Sequence, residues 1–191
     1  ASASASSKLL DDGYKTFRGG IKWPGENPNV PYSINTSSIP DGIDESAAAA
    51  EIAASFETWD TATSVDLFYD TWGITETTEA TFDEENVVSW DELDYPNAIA
   101  VCTFWVDTRT KTILEFDITF STDFDWGIGD ILKMDISNIA THEIGHTLIL
   151  KDLYIEELNE MTMYGYSTEG ETKKCSLEPG DIAGLQALYG S

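Results

Sequence analysis

From Ile113 to Ser121 the chain alternates strictly, and no other stretch limits the possible folds as much. Leu114, Phe116, Ile118 and Phe120 fall on one side, with Glu115, Asp117, Thr119 and Ser121 on the other. Only an extended strand keeps that period of two. A second β-rich run, Ala98 to Val106, lies just before it, and the link from Asp107 to Thr112 is short enough to make the two an antiparallel hairpin. Val30 to Asn35, Val65 to Asp70 and Asn86 to Trp90 read as further short strands. Asp44 can cap a helix from Glu45 to about Trp59, because Ala48, Ile52, Phe56 and Trp59 share one face. A second helix is expected from about Asp135 to Leu150. A last one follows Pro179, with Ile182, Leu185 and Leu188 on one face and Gly190 as its stop signal. Strands and helices both alternate and pair locally, so the class is mixed α/β with a mixed sheet.

At 191 residues the chain is one domain by default, and 41% hydrophobic content with 12% aromatics is enough to fill a core. No internal repeat or later linker interrupts it. Residues 1–12 are small and polar and are expected to form a flexible terminus, leaving 13–191 as a single domain. The run Ala1 to Ser7 has neither a charged n-region nor an apolar h-region, so a signal peptide is expected to be absent or already removed. Ten Lys and Arg stand against 35 Asp and Glu, a formal charge of −25. Such acidity excludes the basic footprint of a nucleic-acid binder and opposes docking on anionic lipid. No stretch approaches the ~18 apolar residues of a membrane span.

The scarce residues carry more information. Only two His are present, His142 and His146, and two Cys, Cys102 and Cys175. The cysteines form no CxxC pair and so no thiolate zinc knuckle. They are expected to form a disulfide, which would suit a secreted chain and close a long loop worth ~4 kcal/mol on the entropy model. Two free thiols are the plainer reading.

His142-Glu143-Ile144-Gly145-His146 is an HExxH motif inside the second helix. Four residues make about 1.1 helical turns, so both imidazoles leave one face about 6 Å apart along the axis. Two neutral ring nitrogens can then reach one zinc ion, while Glu143 stands close enough to take a proton from an attacking water. Two His placed at random fall four apart in only about one case in a hundred, before Glu is required beside the first. A catalytic zinc normally has a third protein ligand, and no His remains to supply it. Asp152, just past the expected helix end, is one candidate. Glu156, Glu157 and Glu160, on a possible following helix, are others.

The stretch from His142 to Asp152, followed by Met161-Thr162-Met163-Tyr164-Gly165-Tyr166, resembles the metzincin metalloproteases, with their HExxHxxGxxH/D signature and methionine turn. The matrixin branch looks nearest. Asp135-Ile136 and Asn138 to Thr141 resemble the run before its signature, and Asp181 to Gly190 resembles its closing helix. The order of helices and strands from about Val30 onward matches as well. Asp in the third ligand place is similar to snapalysin-type metzincins. The resemblance implies a mostly parallel five-stranded sheet with an antiparallel edge strand, an active-site helix and a C-terminal helix.

It further implies a zinc endopeptidase in which His142, His146 and Asp152 hold the metal and Glu143 is the general base. An Asp ligand would leave the centre one unit less positive than a third His. Met163 would lie beneath the zinc, with Met161 as the fallback, and Tyr164 or Tyr166 would stand near the metal or line the S1′ pocket. The Ala98 to Val106 strand would pair with an extended peptide, which draws attention to Phe104 and Trp105. The same resemblance implies a secreted monomer acting on protein or peptide substrate. Two departures stand out. The family's Gly falls on Ile149, where a positive φ is costly for a β-branched residue, and Tyr164 is followed by Gly rather than Pro. Without a spare His, the second zinc of many matrixins has no usual ligand set. Calcium could bind Asp123-Phe124-Asp125 or Asp83-Glu84-Glu85, although neither has the EF-hand pattern. Two other readings are a gluzincin-type peptidase using Glu160 and an inactive metzincin fold used for binding.

Overall fold

The computed structural model describes residues 9, 12–17 and 19–191, so the expected flexible terminus, 1–12, lies almost wholly outside the described residues. Strand β1 (Ser33–Ile34) pairs in parallel with both β2 (Gly73–Ile74) and β3 (Val87–Asp91). In turn, β3 runs parallel to β5 (Thr112–Ser121), and β4 (Ala100–Asp107) closes the edge antiparallel to β5. The order β2-β1-β3-β5-β4 is therefore a mixed, mostly parallel sheet with an antiparallel edge strand. The expected hairpin is present, with Cys102 opposite Ile118 and a bulge between Trp105 and Val106. A parallel pair, β6 (Trp126–Gly127) and β7 (Met134–Asp135), leads into the helix that carries the histidines.

Strand β5 differs from a simple two-faced strand. Phe116, Ile118 and Phe120 are buried, but so are Glu115, Asp117, Thr119 and Ser121, while Leu114 is exposed. The polar face is covered by the loop before β3. Glu115 accepts hydrogen bonds from the Asp83 and Glu84 amides, and Asp117 accepts from Thr81 and Val87. Buried carboxylates survive there because backbone N–H groups satisfy them.

Two expected strands shrink. Val30 to Asn35 keeps only β1, and Val65 to Asp70 keeps a single parallel bridge, Val30 to Phe68. In the latter run the Leu67 amide is taken by the Asp60 carboxylate at 2.6 Å, which draws the chain toward the end of the first helix and out of a regular ladder.

The helices fall near their sequence signals. In α1 (Glu45–Asp60) the Asp44 carboxylate caps the Ala47 amide at 2.8 Å, and Ala48, Ile52, Phe56 and Trp59 are fully buried. In α2 (Ile136–Thr147) Asp135 caps the Asn138 amide at 2.9 Å. This helix stops at Thr147 rather than Leu150, because Ile149 takes φ +68°. The last, α3 (Pro179–Tyr189), begins at Pro179 and ends before Gly190. Helix α1 locks α2 through the Trp59 indole, which donates to the Thr141 carbonyl at 2.8 Å, and Trp23 holds Thr147 in the same way at 3.0 Å. Every residue of α2 except Ser137 and His146 is buried, so a helix carrying His and Glu runs through the interior.

The expected disulfide is absent: Cys102 and Cys175 are both free. The chain places them in different surroundings. Cys102 lines a cleft with Glu143, while the Cys175 thiol sits 3.5 Å from Asp135 at the start of α2. Among the described residues no helix is long and apolar enough to cross a membrane.

Candidate metal centre and active site

On α2 the four-residue spacing stacks His142 and His146 with ring centroids 4.9 Å apart and planes nearly perpendicular, at 88°. Each ring is oriented by a main-chain carbonyl. His142 Nδ1 donates to Thr162 O at 2.7 Å, and His146 Nδ1 donates to Leu150 O at 2.8 Å. A carbonyl can only accept, so each Nδ1 carries a proton and each Nε2 is the nitrogen left to face a ligand.

The turn after α2 brings in the third group. Leu148, Ile149 and Leu150 direct their amides back to the end of the helix, and the left-handed Ile149 reverses the chain. Asp152 Oδ1 arrives 3.1 Å from His142 Nε2 and 3.4 Å from His146 Nε2. The strain foreseen at Ile149 is thus real, and the reversal is made despite its β-branched side chain. Burial alone would raise the Asp152 carboxyl, but hydrogen bonds and charge from both imidazoles hold it well below the usual carboxylate range. Burial alone would likewise lower His146, but Asp152 and Glu143 push it up to about 9. Two Nε2 atoms facing one carboxylate oxygen call for positive charge between them, supplied by ring protons or by a metal cation, and this donor set fits zinc.

Glu143 adds a second acid without joining the Asp152 side of the cluster. One of its oxygens and one nitrogen of each imidazole lie within 4.8 Å of one another. Its side chain is 6% exposed and lines the cleft.

Beneath the histidines, Met163 is buried and packs against Gly145, whereas Met161 is half-buried near Gly13. The Thr162 and Met163 amides donate to Asp181 of α3 at 2.9 and 3.1 Å, which fixes the carbonyl that orients His142. Tyr164 and Tyr166 both line the cleft, and the Tyr164 hydroxyl donates to Glu156. Glu156 sits in a short 3-10 turn, and Glu160 lies 3.6 Å from the Lys173 ammonium. Neither they nor Glu157 belongs to the close group around the histidines, whereas Asp152 stands against both rings.

The cleft runs between β4 and the Tyr164–Ser167 segment. Phe104 lines it, but Trp105 does not and packs on Phe82 instead, since neighbours on a strand point to opposite faces. Three contributors escaped sequence reasoning. The Tyr154 hydroxyl donates to Asp152 Oδ2 at 3.1 Å. Phe17 lines the cleft from the N-terminal side. Lys174, 1% exposed, bonds Tyr166 O at 2.6 Å and Glu171 at 3.1 Å on the cleft wall. Only the two-residue spacing of Tyr154 from Asp152 was a usable signal. Among the described residues, His142, Glu143 and His146 form a close metal-ligating group with Asp152 beside both rings, and neither Asp123–Asp125 nor Asp83–Glu85 forms one.

This geometry meets known proteins at the same place. A family model described as matrixin matches residues 22–190. Human stromelysin-3 is 33% identical over 97 residues, covering 51% of this chain and 18% of that protein. Matrilysin from Felis catus is 34% identical over 74 residues, covering 39% of this chain and 27% of that protein. The chain thus spans less than a third of these curated relatives. The family match takes in the whole five-stranded sheet, α2 with its turn, and α3, so the chain belongs to the matrixin family.

Proposed function

We propose that the chain is a zinc-dependent endopeptidase, with His142, His146 and Asp152 holding the metal and Glu143 as general base. The observation that carries this is the convergence of His142 Nε2, His146 Nε2 and Asp152 Oδ1 while both Nδ1 atoms are committed to carbonyls. Zinc held there would supply Lewis acidity toward the scissile carbonyl and the attacking water. Glu143 accepts the proton of that water and returns it to the leaving amine nitrogen. Met163 supports the helix from below at Gly145. Tyr164 and Tyr166 form the wall facing β4, against which a substrate side chain rests. β4 stands at the sheet edge and its cleft-lining residues are half-buried, which suits pairing with an extended peptide by main-chain hydrogen bonds. Action as a secreted monomer is part of the same proposal.

Glu143→Ala is expected to keep zinc yet lose at least ~100-fold in turnover of a casein or peptide substrate. Near-normal turnover would remove Glu143 from the reaction. Asp152→Ala is expected to lose zinc through gel filtration, and unchanged metal content would move the third ligand elsewhere. Wild-type digestion should stop on adding a zinc chelator and return with zinc. Binding of peptide without any chelator-sensitive cleavage would favour a purely binding role.

A further inference from the structure

The turn that delivers Asp152 is held from two sides. From the helix side, the Ile149 amide donates to His146 O at 2.9 Å and the Leu150 amide to Gly145 O at 3.1 Å. From the other side comes the N-terminal segment. The Phe17 amide donates to Ile149 O at 3.2 Å, the Lys151 amide donates to Lys15 O at 2.7 Å, and Thr16 lies opposite Leu150 in an antiparallel bridge. The Phe17 ring meets Phe104 of β4 edge-on at 5.2 Å, and the Lys151 ammonium stands 4.2 Å over its face. Upstream, Gly13 presses so closely on Gly180 at the start of α3 that neither site has room for a Cβ. A short stretch therefore bridges α3, the turn and the edge strand.

The central residue of the turn has reason to leave. Ile149 holds φ +68°, a region β-branched residues avoid, and its side chain is fully buried. Its conformation persists only if the surroundings fix it on both sides. The carbonyl of this strained residue is the one that Phe17 grips, and the residue beyond Leu150 is the one that Lys15 grips. Leu150 O, between them, orients His146. Releasing the segment would free both the third ligand and the acceptor that sets one imidazole.

We infer that residues 15–17 are a positioning clamp for the metal centre, so that metal retention depends on docking of the N-terminal segment. This rests on reading His142, His146 and Asp152 as the zinc site. The clamp touches neither zinc nor substrate carbonyl, and it acts through the path of the backbone from His146 to Asp152.

The test is zinc affinity and zinc release rate, measured by competition with a chromophoric chelator. Phe17→Pro deletes the amide that grips Ile149, and Phe17→Ala keeps the amide but removes the ring. Phe17→Pro is expected to weaken zinc binding by roughly tenfold or more and to speed release, the scale of losing a group that orients a ligand. Phe17→Ala should move both in the same direction by less, and it keeps the inference testable if the proline variant does not fold. Val88→Ala, a core change far from the turn, should lower stability and leave zinc affinity unchanged. Wild-type zinc affinity in a folded Phe17→Pro, or an equal loss in Val88→Ala, overturns the clamp. In an Asp152→Ala background Phe17→Pro should add little, and full additivity would also overturn it. The zinc-site reading itself fails on a different outcome, namely Asp152→Ala alone retaining wild-type affinity.

Discussion

At residue scale, Gly145 shows how little latitude the centre leaves. It sits between the two histidines, and an added Cβ there would collide with Met163 Sδ and come within 2.8 Å of Trp59 Cζ2. Met163 can flex, but the Trp59 ring is tied to the Thr141 carbonyl and cannot. Gly145→Ala is therefore expected to cost about 1–3 kcal/mol through overpacking, lowering the melting temperature by several degrees in calorimetry. A melting temperature equal to wild type would mean that the pocket beneath the helix is looser than the contacts indicate. The two histidines were legible in the sequence because His is rare in this chain and the spacing is specific. Asp152 was one of 35 acids: spacing alone left it beside three glutamates, the resemblance put it in the third place, and the reversal at Ile149 brings it against both rings. Asp181 was not legible as an orienting group, since the fold and not the local pattern brings it to the Thr162 and Met163 amides, whereas Tyr154 stood two residues from Asp152.

At the scale of elements, β5 carries acids where its alternation suggested a simple polar face, and the loop over them has no regular structure to announce it. Burial raises Asp117 to about 7, with Glu115 and Asp83 adding to the rise and the Val87 and Thr81 amides opposing it. A carboxyl whose folded pKa exceeds its ordinary 3.8 holds its proton more tightly in the native state. Its contribution is fully present below about 4 and is lost as pH rises toward about 7. Asp60, raised to about 6 chiefly by burial, acts in the same direction. Urea denaturation of Asp117→Asn should therefore show a flatter dependence on pH than wild type between about 4 and 7. An unchanged slope would mean that Asp117 titrates as an ordinary exposed acid. Helix ends were easier to read than this loop, because Asp44, Asp135 and Pro179 signal them within one turn. Strand β2, two residues long, offered no period to find, whereas β1 lay inside the expected Val30 to Asn35 run.

For the whole molecule the charge of −25 sets conditions rather than chemistry. Like charges spread over one surface repel, and salt screens them over about 10 Å at 0.1 M. Raising sodium chloride from about 0.02 M to about 0.5 M is expected to increase the melting temperature, with a fall counting against net repulsion as a destabilising force. On the proposed endopeptidase reading, cationic peptides should be cleaved faster than anionic ones at low salt, a difference that shrinks as salt rises. The sheet order and the closing helix matched what the resemblance implied. The docking of the N-terminal segment did not announce itself, because its partners in the turn and at Gly180 stand more than a hundred positions away.

The carbonyls of Leu150 and Thr162 that orient the two imidazoles have one more consequence. Main-chain oxygens are common to all twenty residue types, so no codon change at those two positions can delete the acceptor itself. Related chains can drift in side chain there while the same ring nitrogens keep their protons. The centre is therefore tolerant of substitution at its orienting groups and vulnerable to insertions or deletions that shift the trace.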